Sequence, residues 1–167
     1  ISGQVNNIEY LNKLPDLNYC DAAGIELLYK DINSKSKIDA LKKLDKNNVR
    51  RRKVAARYNK LLRGVEGIVV PHEPKTKKHV YHLYVIKVTK DYKLTKMQLI
   101  KKLINNGIIV GVHYPPVHTL TYYKKRCHYH TEDFPIADQL YDEALSLPMF
   151  PSMTEAQIKK VCKVIKE

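Results

Sequence analysis

Glycine is scarce in this sequence: six glycines occur among 167 residues, and they are scattered. A loop that cradles a phosphate with its backbone N–H groups needs clustered glycines, so no phosphate-binding loop of that kind is present. The sequence also lacks the Gly-x-Ser-x-Gly pattern that exposes a nucleophilic serine in many hydrolases. These two absences exclude the corresponding nucleotide-binding and hydrolase motifs.

Cysteine and long hydrophobic runs are also in short supply. The three cysteines, Cys20, Cys127 and Cys162, are far apart and odd in number. This pattern does not suit a disulfide framework and is typical of reduced thiols, so we expect a cytoplasmic protein. No apolar run reaches membrane-spanning length, and the N-terminus shows no signal-peptide pattern. We therefore expect no membrane partner.

Arginine is rare although the chain is strongly basic. The formal net charge is +13, but only six of the thirty basic residues are arginine. Nucleic-acid-binding surfaces usually combine arginine clusters with exposed aromatic side chains. The one arginine-rich run, residues 50–53, lies in a helical pattern, where a solvated face is the simplest explanation. We do not expect nucleic acid as a partner, while attraction for an anionic ligand such as a nucleotide diphosphate stays open.

Helical periodicity and capping patterns predict the helices. Apolar spacing indicates one long helix over 38–62, which ends at the glycines that follow it. Two capping-box patterns, Thr95 with Gln98 and Thr154 with Gln157, predict the starts of two further helices. The last of these is amphipathic and is expected to pack its apolar side against the core.

Runs of β-branched and aromatic residues predict short strands over 68–70, 80–88 and 108–113. We expect the last two to be neighbours in one sheet. Asp133 is the predicted N-cap of a helix that runs through Ala144. Since the strands are few and the connections short, the predicted fold class is α/β (α+β), with a small three- to four-stranded sheet covered by helices.

The stretch 108–118 carries the strongest functional signal. It reads Ile-Ile-Val-Gly-Val-His-Tyr-Pro-Pro-Val-His, an apolar run that ends in polar and aromatic residues. The two adjacent prolines cannot continue a strand and stiffen the chain. We expect a rigid loop that presents His113, Tyr114 and His118, with His118 exposed. The simpler alternative is a strand-to-loop junction whose polar groups are partly satisfied.

The segment that follows, 119–133, is predicted to be a loop rich in tyrosine, lysine and histidine. Cys127, His128 and His130 have the chemistry of zinc ligands, and His118 is the obvious fourth. No second pair of cysteines exists, so we predict no metal site. A catalytic Cys–His pair is not indicated either, because no orienting group or oxyanion site can be assigned.

Several motifs stand in one order and spacing. They are the helix run 50–59, the strand run 79–86, the Gly-Ile…His-Tyr-Pro…His stretch 107–118, the runs 134–138 and 145–151, and the final helix 154–165. Together they resemble the C-terminal portion of the DegT/StrS-type aminotransferases, which use pyridoxal phosphate (PLP) on nucleotide-linked keto-sugars. The resemblance covers residues 31–167, and several motifs in register make it specific.

The resemblance implies a C-terminal small domain of a fold-type I aminotransferase over 31–167, after an irregular or eroded lead segment over 1–30. In that family an N-terminal domain holds PLP and supplies the lysine that binds it. None of the 24 lysines can be assigned that role, and the family's phosphate-contacting asparagine is replaced here by Glu26. We therefore expect PLP in the complete enzyme but not on this chain alone, which would be a fragment or one part of a split enzyme.

The resemblance also implies that this domain closes the substrate pocket. His113, Tyr114 and His118 would bind the nucleotide-sugar, because their side chains can donate hydrogen bonds to sugar hydroxyls and diphosphate oxygens. The basic run 124–126 would add to that attraction. Glutamate or a similar amino donor, and a homodimer, are expected for the complete enzyme. The alternative is a non-catalytic module, either a degenerate aminotransferase domain or a basic nucleic-acid-binding domain.

Overall fold

A small antiparallel sheet and five α-helices make up most of the part of the chain that the structure describes. The structure is a computed structural model, and it describes residues 18–20, 26–28 and 42–167. The predicted fold class, an α/β (α+β) domain with a three- to four-stranded sheet and helices, is confirmed. No helix within these residues is long and apolar enough to cross a membrane.

The strands form two separate sheets. β1 (Asn18–Cys20) pairs antiparallel with β2 (Glu26–Leu28). β3 (Ile68–Val69), β4 (Tyr84–Val88) and β5 (Ala144–Leu147) form a second sheet in that order, and both pairings are antiparallel. β4 is therefore the middle strand of the larger sheet.

The helices connect and flank these strands. They are α1 (Leu44–Leu62), α2 (Lys96–Asn105), α3 (Thr121–Cys127), α4 (Pro135–Glu143) and α5 (Glu155–Lys166). α4 ends at the residue before β5 begins, so helix and strand follow each other without a loop.

β4 shows how the sheet faces the core. Its residues alternate along the strand: Tyr84, Ile86 and Val88 are buried, while Val85 and Lys87 are half-buried. A period of two places the buried side chains on one face of the sheet. That face carries the aliphatic and aromatic packing of the domain, and the opposite face is free to line a site.

α1 and α5 supply the helical side of the core. α1 buries Val54, Tyr58 and Leu62 at helical spacing, and the Tyr58 ring stacks on that of Tyr84 with centroids 4.8 Å apart. An aromatic pair of this kind contributes about 0.5–1.5 kcal/mol beyond the area it buries. α5 buries the apolar face that the sequence predicts, including Ile158, Val161, Cys162 and Ile165.

Both predicted capping boxes are present. The side chain of Thr95 accepts a hydrogen bond from the backbone N–H of Gln98, and Thr154 accepts one from Gln157 in the same way. Gly107, at a φ of +71°, lies just beyond the end of α2, where a left-handed backbone suits glycine. These helix ends were predictable because each depends on residues three or four positions apart.

The predicted long helix over 38–62 is confirmed as α1 within the residues that the structure describes. α1 ends at Leu62, and Gly64 follows with a φ of +88°. The part of the prediction before residue 42 lies outside the described residues. Most of the lead segment over 1–30 also lies outside them. The described strands β1 and β2 form an antiparallel pair that was not predicted from the sequence.

The predicted pairing of 80–88 with 108–113 is wrong. β4 begins only at Tyr84, because Tyr81 has a φ of +50° and breaks the extended run. β5 takes the place beside β4, and the segment after α2 lies against β5 instead. Its backbone pairs with the sheet at the isolated bridge between Gly111 and Ser146.

The predicted cap of α4 is also wrong. α4 starts at Pro135 with Phe134 as its N-cap residue, and a proline at the first helical position fits because it has no N–H to satisfy. The carboxylate of Asp133 instead accepts from the backbone N–H of His130 at 2.7 Å. In addition, the segment predicted to be a loop over 119–133 contains the helix α3.

A carboxylate ties the segment after β3 to α1. Glu73 accepts hydrogen bonds from Arg52, from the backbone N–H of His79 at 2.9 Å and from the Tyr81 hydroxyl at 3.1 Å. Arg52 also donates to the His79 carbonyl at 2.7 Å. The backbone N–H of His79 and the Arg52 guanidinium lower the pKa of Glu73 to about 2. This cluster fixes the chain just before β4.

Glu73→Gln should lower the stability at neutral pH, with a defined pH dependence. The folded-state pKa of Glu73 lies below its ordinary value of 4.5, so the carboxylate stabilises the fold above that pH. The stabilisation is lost as the pH falls towards about 2. Urea midpoints of wild type and variant should therefore differ at pH 7 and converge at low pH. The exposed Glu66→Gln is the control, and a pH-independent difference would contradict the assignment.

Ile86→Ala should lower the free energy of unfolding by about 2–5 kcal/mol, because the Ile86 side chain is fully buried in the core. Val85→Ala, one residue away on the half-buried face of β4, should cost about 1 kcal/mol. Urea unfolding at neutral pH measures both values. Equal losses would show that β4 does not have the core face described here.

Candidate functional site

The His/Tyr/Pro segment lies against the outer side of β5. Ile108 is buried directly after α2. Further along, the Gly111 N–H donates to the Ser146 carbonyl at 2.9 Å, and the Gly111 carbonyl accepts from the Ser146 N–H at 3.0 Å. A Cβ on Gly111 would lie 3.3 Å from the Ser146 Cβ, so glycine permits this close approach. The segment is thus anchored just before His113.

The same strand residue holds the His113 ring. The Nε2 atom of His113 lies 3.0 Å from the Oγ atom of Ser146, whose side chain is buried in β5. The next residue, Tyr114, is 95% exposed. The side chains of these two predicted ligand-binding residues are therefore held differently. His113 is fixed by Ser146, and Tyr114 projects into solvent.

An apolar cavity of about 370 Å³ opens beside these residues. His113, Tyr114 and Pro116 form one wall, and the other walls come from β4, α4 and the start of β5. Those walls consist of Val85, Ala137, Leu140, Tyr141 and Ala144. Ligand sites are commonly apolar clefts with a few polar groups that orient the ligand. This cavity can take an apolar or ring-shaped group while His113 and Tyr114 supply polar contacts.

His118 lies elsewhere, and the expectation that it is exposed is wrong. It is 6% exposed, within the 3-10 turn Val117–Thr119. Its Nε2 atom lies 3.0 Å from the Oδ1 atom of Asp138, without the direction of a good hydrogen bond, and its ring centroid is 4.8 Å from that of Phe134. The turn after the prolines directs the ring against α4. His118 therefore does not line the apolar cavity.

A larger cleft of about 670 Å³ lies on the other side of α4, and Asp138 lines it. Three of the charged residues that line it, Lys96, Asp138 and Glu143, have partners within the protein. The amino group of Lys96 donates to the Tyr141 carbonyl at 2.5 Å, and Lys87 lies 2.7 Å from Glu143. Lys87 also lowers the pKa of Glu143. Because these charges already have partners, we assign no ligand to this cleft.

Metal binding receives no support from the geometry. Across the residues that the structure describes, no group of three or more histidine, cysteine or acidic side chains is placed to hold an ion. Cys127 is exposed at the end of α3, and Cys162 is buried in the core, where burial raises the pKa of its thiol to about 11. A buried thiol with a raised pKa is a poor nucleophile.

Two residues beside the histidines, Ser146 and Asp138, were not predicted from the sequence. Ser146 holds the His113 ring through its hydroxyl, and Asp138 lies 3.0 Å from His118. Ser146 had a usable signal, because it is the one polar residue in the buried strand Ala144–Leu147. A hydroxyl in such a place needs a hydrogen-bond partner. Asp138 had no comparable signal, since a single acidic residue near the start of a helix is common.

Comparison with known proteins identifies the family. The model of the DegT/DnrJ/EryC1/StrS aminotransferase family matches residues 8–166.

This chain belongs to that family.

Two curated relatives illustrate the extent of the similarity. The chain is 31% identical to the spore coat polysaccharide biosynthesis protein SpsC of Bacillus subtilis over 149 residues, which is 88% of this chain and 38% of SpsC. It is 33% identical to an uncharacterised protein of Methanocaldococcus jannaschii over 138 residues, which is 82% of this chain and 36% of that protein. The aminotransferase-family chain thus spans little more than a third of these relatives.

A solved structure shows the same fold. DesV from S. venezuelae superimposes with a TM-score of 0.71 at 28% identity, and the match covers 78% of this chain and 34% of DesV. The predicted resemblance to the DegT/StrS-type aminotransferases is therefore confirmed. Its finer implications, the substrate and the roles of the site residues, remain proposals.

His118→Ala should destabilise this aminotransferase-family domain by about 1–3 kcal/mol, because it removes packing against Phe134 and leaves Asp138 without its nearby imidazole. Tyr114→Ala is the control in the same segment. Since Tyr114 is almost fully exposed, its loss should change stability by less than about 0.5 kcal/mol. Thermal and urea unfolding measure both, and equal effects would contradict the placement of His118.

Proposed function

We propose that this chain is the C-terminal domain of a PLP-dependent aminotransferase that acts on a nucleotide-linked keto-sugar and closes its substrate pocket. Residues 31–167 form the domain, and 1–30 lead into it. Membership of the family supports the reaction class. The observation that carries the substrate assignment is the fixed His113 beside the exposed Tyr114 at one wall of an apolar cavity.

The two residues suit a sugar ligand. Ser146 holds the His113 ring at one nitrogen, so the other nitrogen can donate to, or accept from, a sugar hydroxyl. The Tyr114 hydroxyl can do the same at the rim. The apolar walls would contact the carbon faces of the ring. We propose that His118 supports the same site indirectly. It packs against α4, and α4 provides one wall of the cavity.

PLP would supply the electron-withdrawing chemistry of the amino transfer. A lysine that binds it must have its amino group free inside a pocket. Among residues 42–167 every lysine is exposed or half-buried, and Lys87 and Lys96 are engaged with Glu143 and the Tyr141 carbonyl. These residues do not fit a cofactor site. We therefore propose that an N-terminal domain, or a separate chain, holds PLP in the complete enzyme.

The remaining partners follow from the same proposal. The amino donor would be glutamate or a similar amino acid, and the complete enzyme would be a homodimer. We propose a cytoplasmic location, supported by the cysteine pattern. Cys127 and Cys162, the two cysteines with described side chains, are both free thiols. Neither a membrane nor a nucleic acid is part of this proposal.

Amination of a nucleotide-linked keto-sugar by the complete enzyme tests the function. This chain, joined to a PLP-binding N-terminal domain, should convert uridine- or thymidine-diphosphate keto-sugars with glutamate, detected as the amino sugar by mass spectrometry. His113→Ala should lower kcat/KM by about 5- to 150-fold, which corresponds to about 1–3 kcal/mol for a hydrogen bond to a charged or transition-state group. Its melting temperature should fall by a few degrees, because the buried Ser146 hydroxyl loses its partner, so the kinetics are measured at a temperature at which the variant is fully folded.

Two controls make this test decisive. The isolated chain should show no turnover and no borohydride-trapped PLP on any single lysine. The exposed Met97→Ala, on α2, should leave kcat/KM unchanged. A stoichiometric PLP adduct on this chain would contradict the proposal. Absence of turnover in a folded, PLP-loaded complete enzyme would favour the alternative, a degenerate and non-catalytic aminotransferase domain.

A further inference from the structure

A second apolar cavity lies where the segments that follow α2 and β5 meet α5. Its volume is about 350 Å³, within the range of about 300–1,000 Å³ that is usual for small-ligand sites. None of the residues that line it lines the cavity beside His113. Its apolar walls are formed by Ile108, Ile109, Pro148, Phe150, Met153 and Val161.

The mouth of this second cavity is apolar and is held in place by the backbone. Ile109 is 87% exposed and Phe150 is 40% exposed, so both present apolar surface to solvent beside the cavity. Ile109 lies between two anchored residues. The Ile108 N–H donates to the Leu103 carbonyl at 2.9 Å, and Gly111 pairs with β5. The cavity is therefore preformed, which lowers the cost of binding a ligand there.

The polar side chains at the rim of the second cavity offer hydrogen-bond donors. Gln157 and Lys160 lie three positions apart on α5, so they project from the same face of the helix. The side-chain oxygen of Gln157 already accepts from the Thr154 N–H at 2.9 Å, which leaves its NH2 group to donate. A lysine ammonium can only donate. The rim therefore matches a ligand group that accepts hydrogen bonds and carries negative charge.

The charge of Lys160 is not neutralised by an acidic partner among the residues that the structure describes. Two other lysines of α5, Lys159 and Lys163, lie 3.8 and 3.5 Å from glutamates. A Cβ on Gly107 would lie 3.9 Å from the Lys160 Nζ atom, which places the amino group at the end of α2. The carbonyls of 102–104 at that end already accept backbone N–H groups. Among the described residues that line this cavity, Lys160 alone is charged.

We propose that the second cavity binds a small amphipathic carboxylate, with an apolar chain of about six to ten carbon atoms. The chain enters between Ile109 and Phe150, and its burial favours binding with each methylene that leaves water. The carboxylate oxygens accept from the Lys160 ammonium and the Gln157 NH2 group. A phosphate ion would leave the apolar walls unused, and a single exposed ammonium is a poor match for its double charge. The inference uses none of the residues assigned under the proposed function.

Methionine methyl groups give a local readout of binding. The chain contains three methionines. Met153 lines the second cavity, whereas Met97 is 57% exposed in the first turn of α2. In the complete 167-residue chain with ¹³C-labelled methionine methyls, octanoate should shift the Met153 signal saturably, with a dissociation constant on the order of 0.1–1 mM. The Met97 signal should stay in place, and Met153→Leu assigns the peak. A Met153 signal that does not shift saturably would overturn the inference.

A ligand series separates the apolar chain from the carboxylate. Hexanoate, octanoate and decanoate should bind with increasing affinity, by up to about fourfold for each added methylene. Octanamide has the chain of octanoate without its charge, so it should bind about three- to tenfold more weakly. Octylammonium should bind more weakly still, because its charge has the same sign as that of the Lys160 ammonium. Equal affinities of octanoate and octanamide would overturn the inference.

Two pairs of charge-matched variants test the placement of the ligand. K160Q should weaken octanoate binding by about three- to tenfold, whereas K163Q, on the same helix, should stay within about twofold of wild type. I109E should weaken it by about tenfold or more, because it replaces apolar surface at the mouth with a like charge.

I136E is the control for I109E. Ile136 is 81% exposed on α4 and lines neither of these two cavities, so its variant should bind octanoate within about twofold of wild type. Circular dichroism and melting should match wild type for both variants, because both isoleucine side chains are exposed. Equal losses within either pair of variants would overturn the inference, since they would indicate general charge attraction.

The complete enzyme tests whether the second cavity is accessible in the assembled protein. Octanoate should still shift the Met153 signal when this chain is joined to its N-terminal domain. Loss of that shift would overturn the inference, because it would show that the rest of the enzyme covers the cavity. The readout is a binding signal and does not depend on turnover. A saturable Met153 shift in a complete enzyme without aminotransferase activity would therefore support this inference and contradict the proposed function.

Discussion

The pairing of β4 with β5 is the interaction on which the site depends. Four residue pairs join the strands, from Tyr84 with Leu147 to Lys87 with Ala144. β5 lies between β4 on one side and Gly111 on the other, so it connects the core to the His/Tyr/Pro segment. A slip of one residue would turn Ser146 to the other face of the sheet and remove the partner of His113. The register of this four-residue strand thus decides whether the candidate site forms.

The sequence predicted local features well and long-range pairing poorly. The helix starts at Thr95 and Thr154 were predictable, because a capping box is a contact between residues three positions apart. β5 was missed because its four residues follow α4 with no turn signal between them, so the run resembled the end of a helix. The burial of His118 could not be read from the sequence either, since it depends on how closely α4 approaches the 3-10 turn.

Family membership and the described geometry constrain different levels of the function. The family match covers residues 8–166 and shows that the chain belongs to the DegT/DnrJ/EryC1/StrS aminotransferase family. The structure separates His113, Tyr114 and His118, which were predicted from the sequence to lie together. His113 and Tyr114 meet the same cavity, whereas His118 supports α4 from the other side.

The direct junction between Glu143 and Ala144 couples the two sides of the cavity mechanically. α4 provides one wall, and β5 holds His113 through Ser146 on the other. Since no loop separates helix and strand, a tilt of α4 would act directly on the first residues of β5. A ligand that pushes α4 outwards would therefore also shift the support of His113.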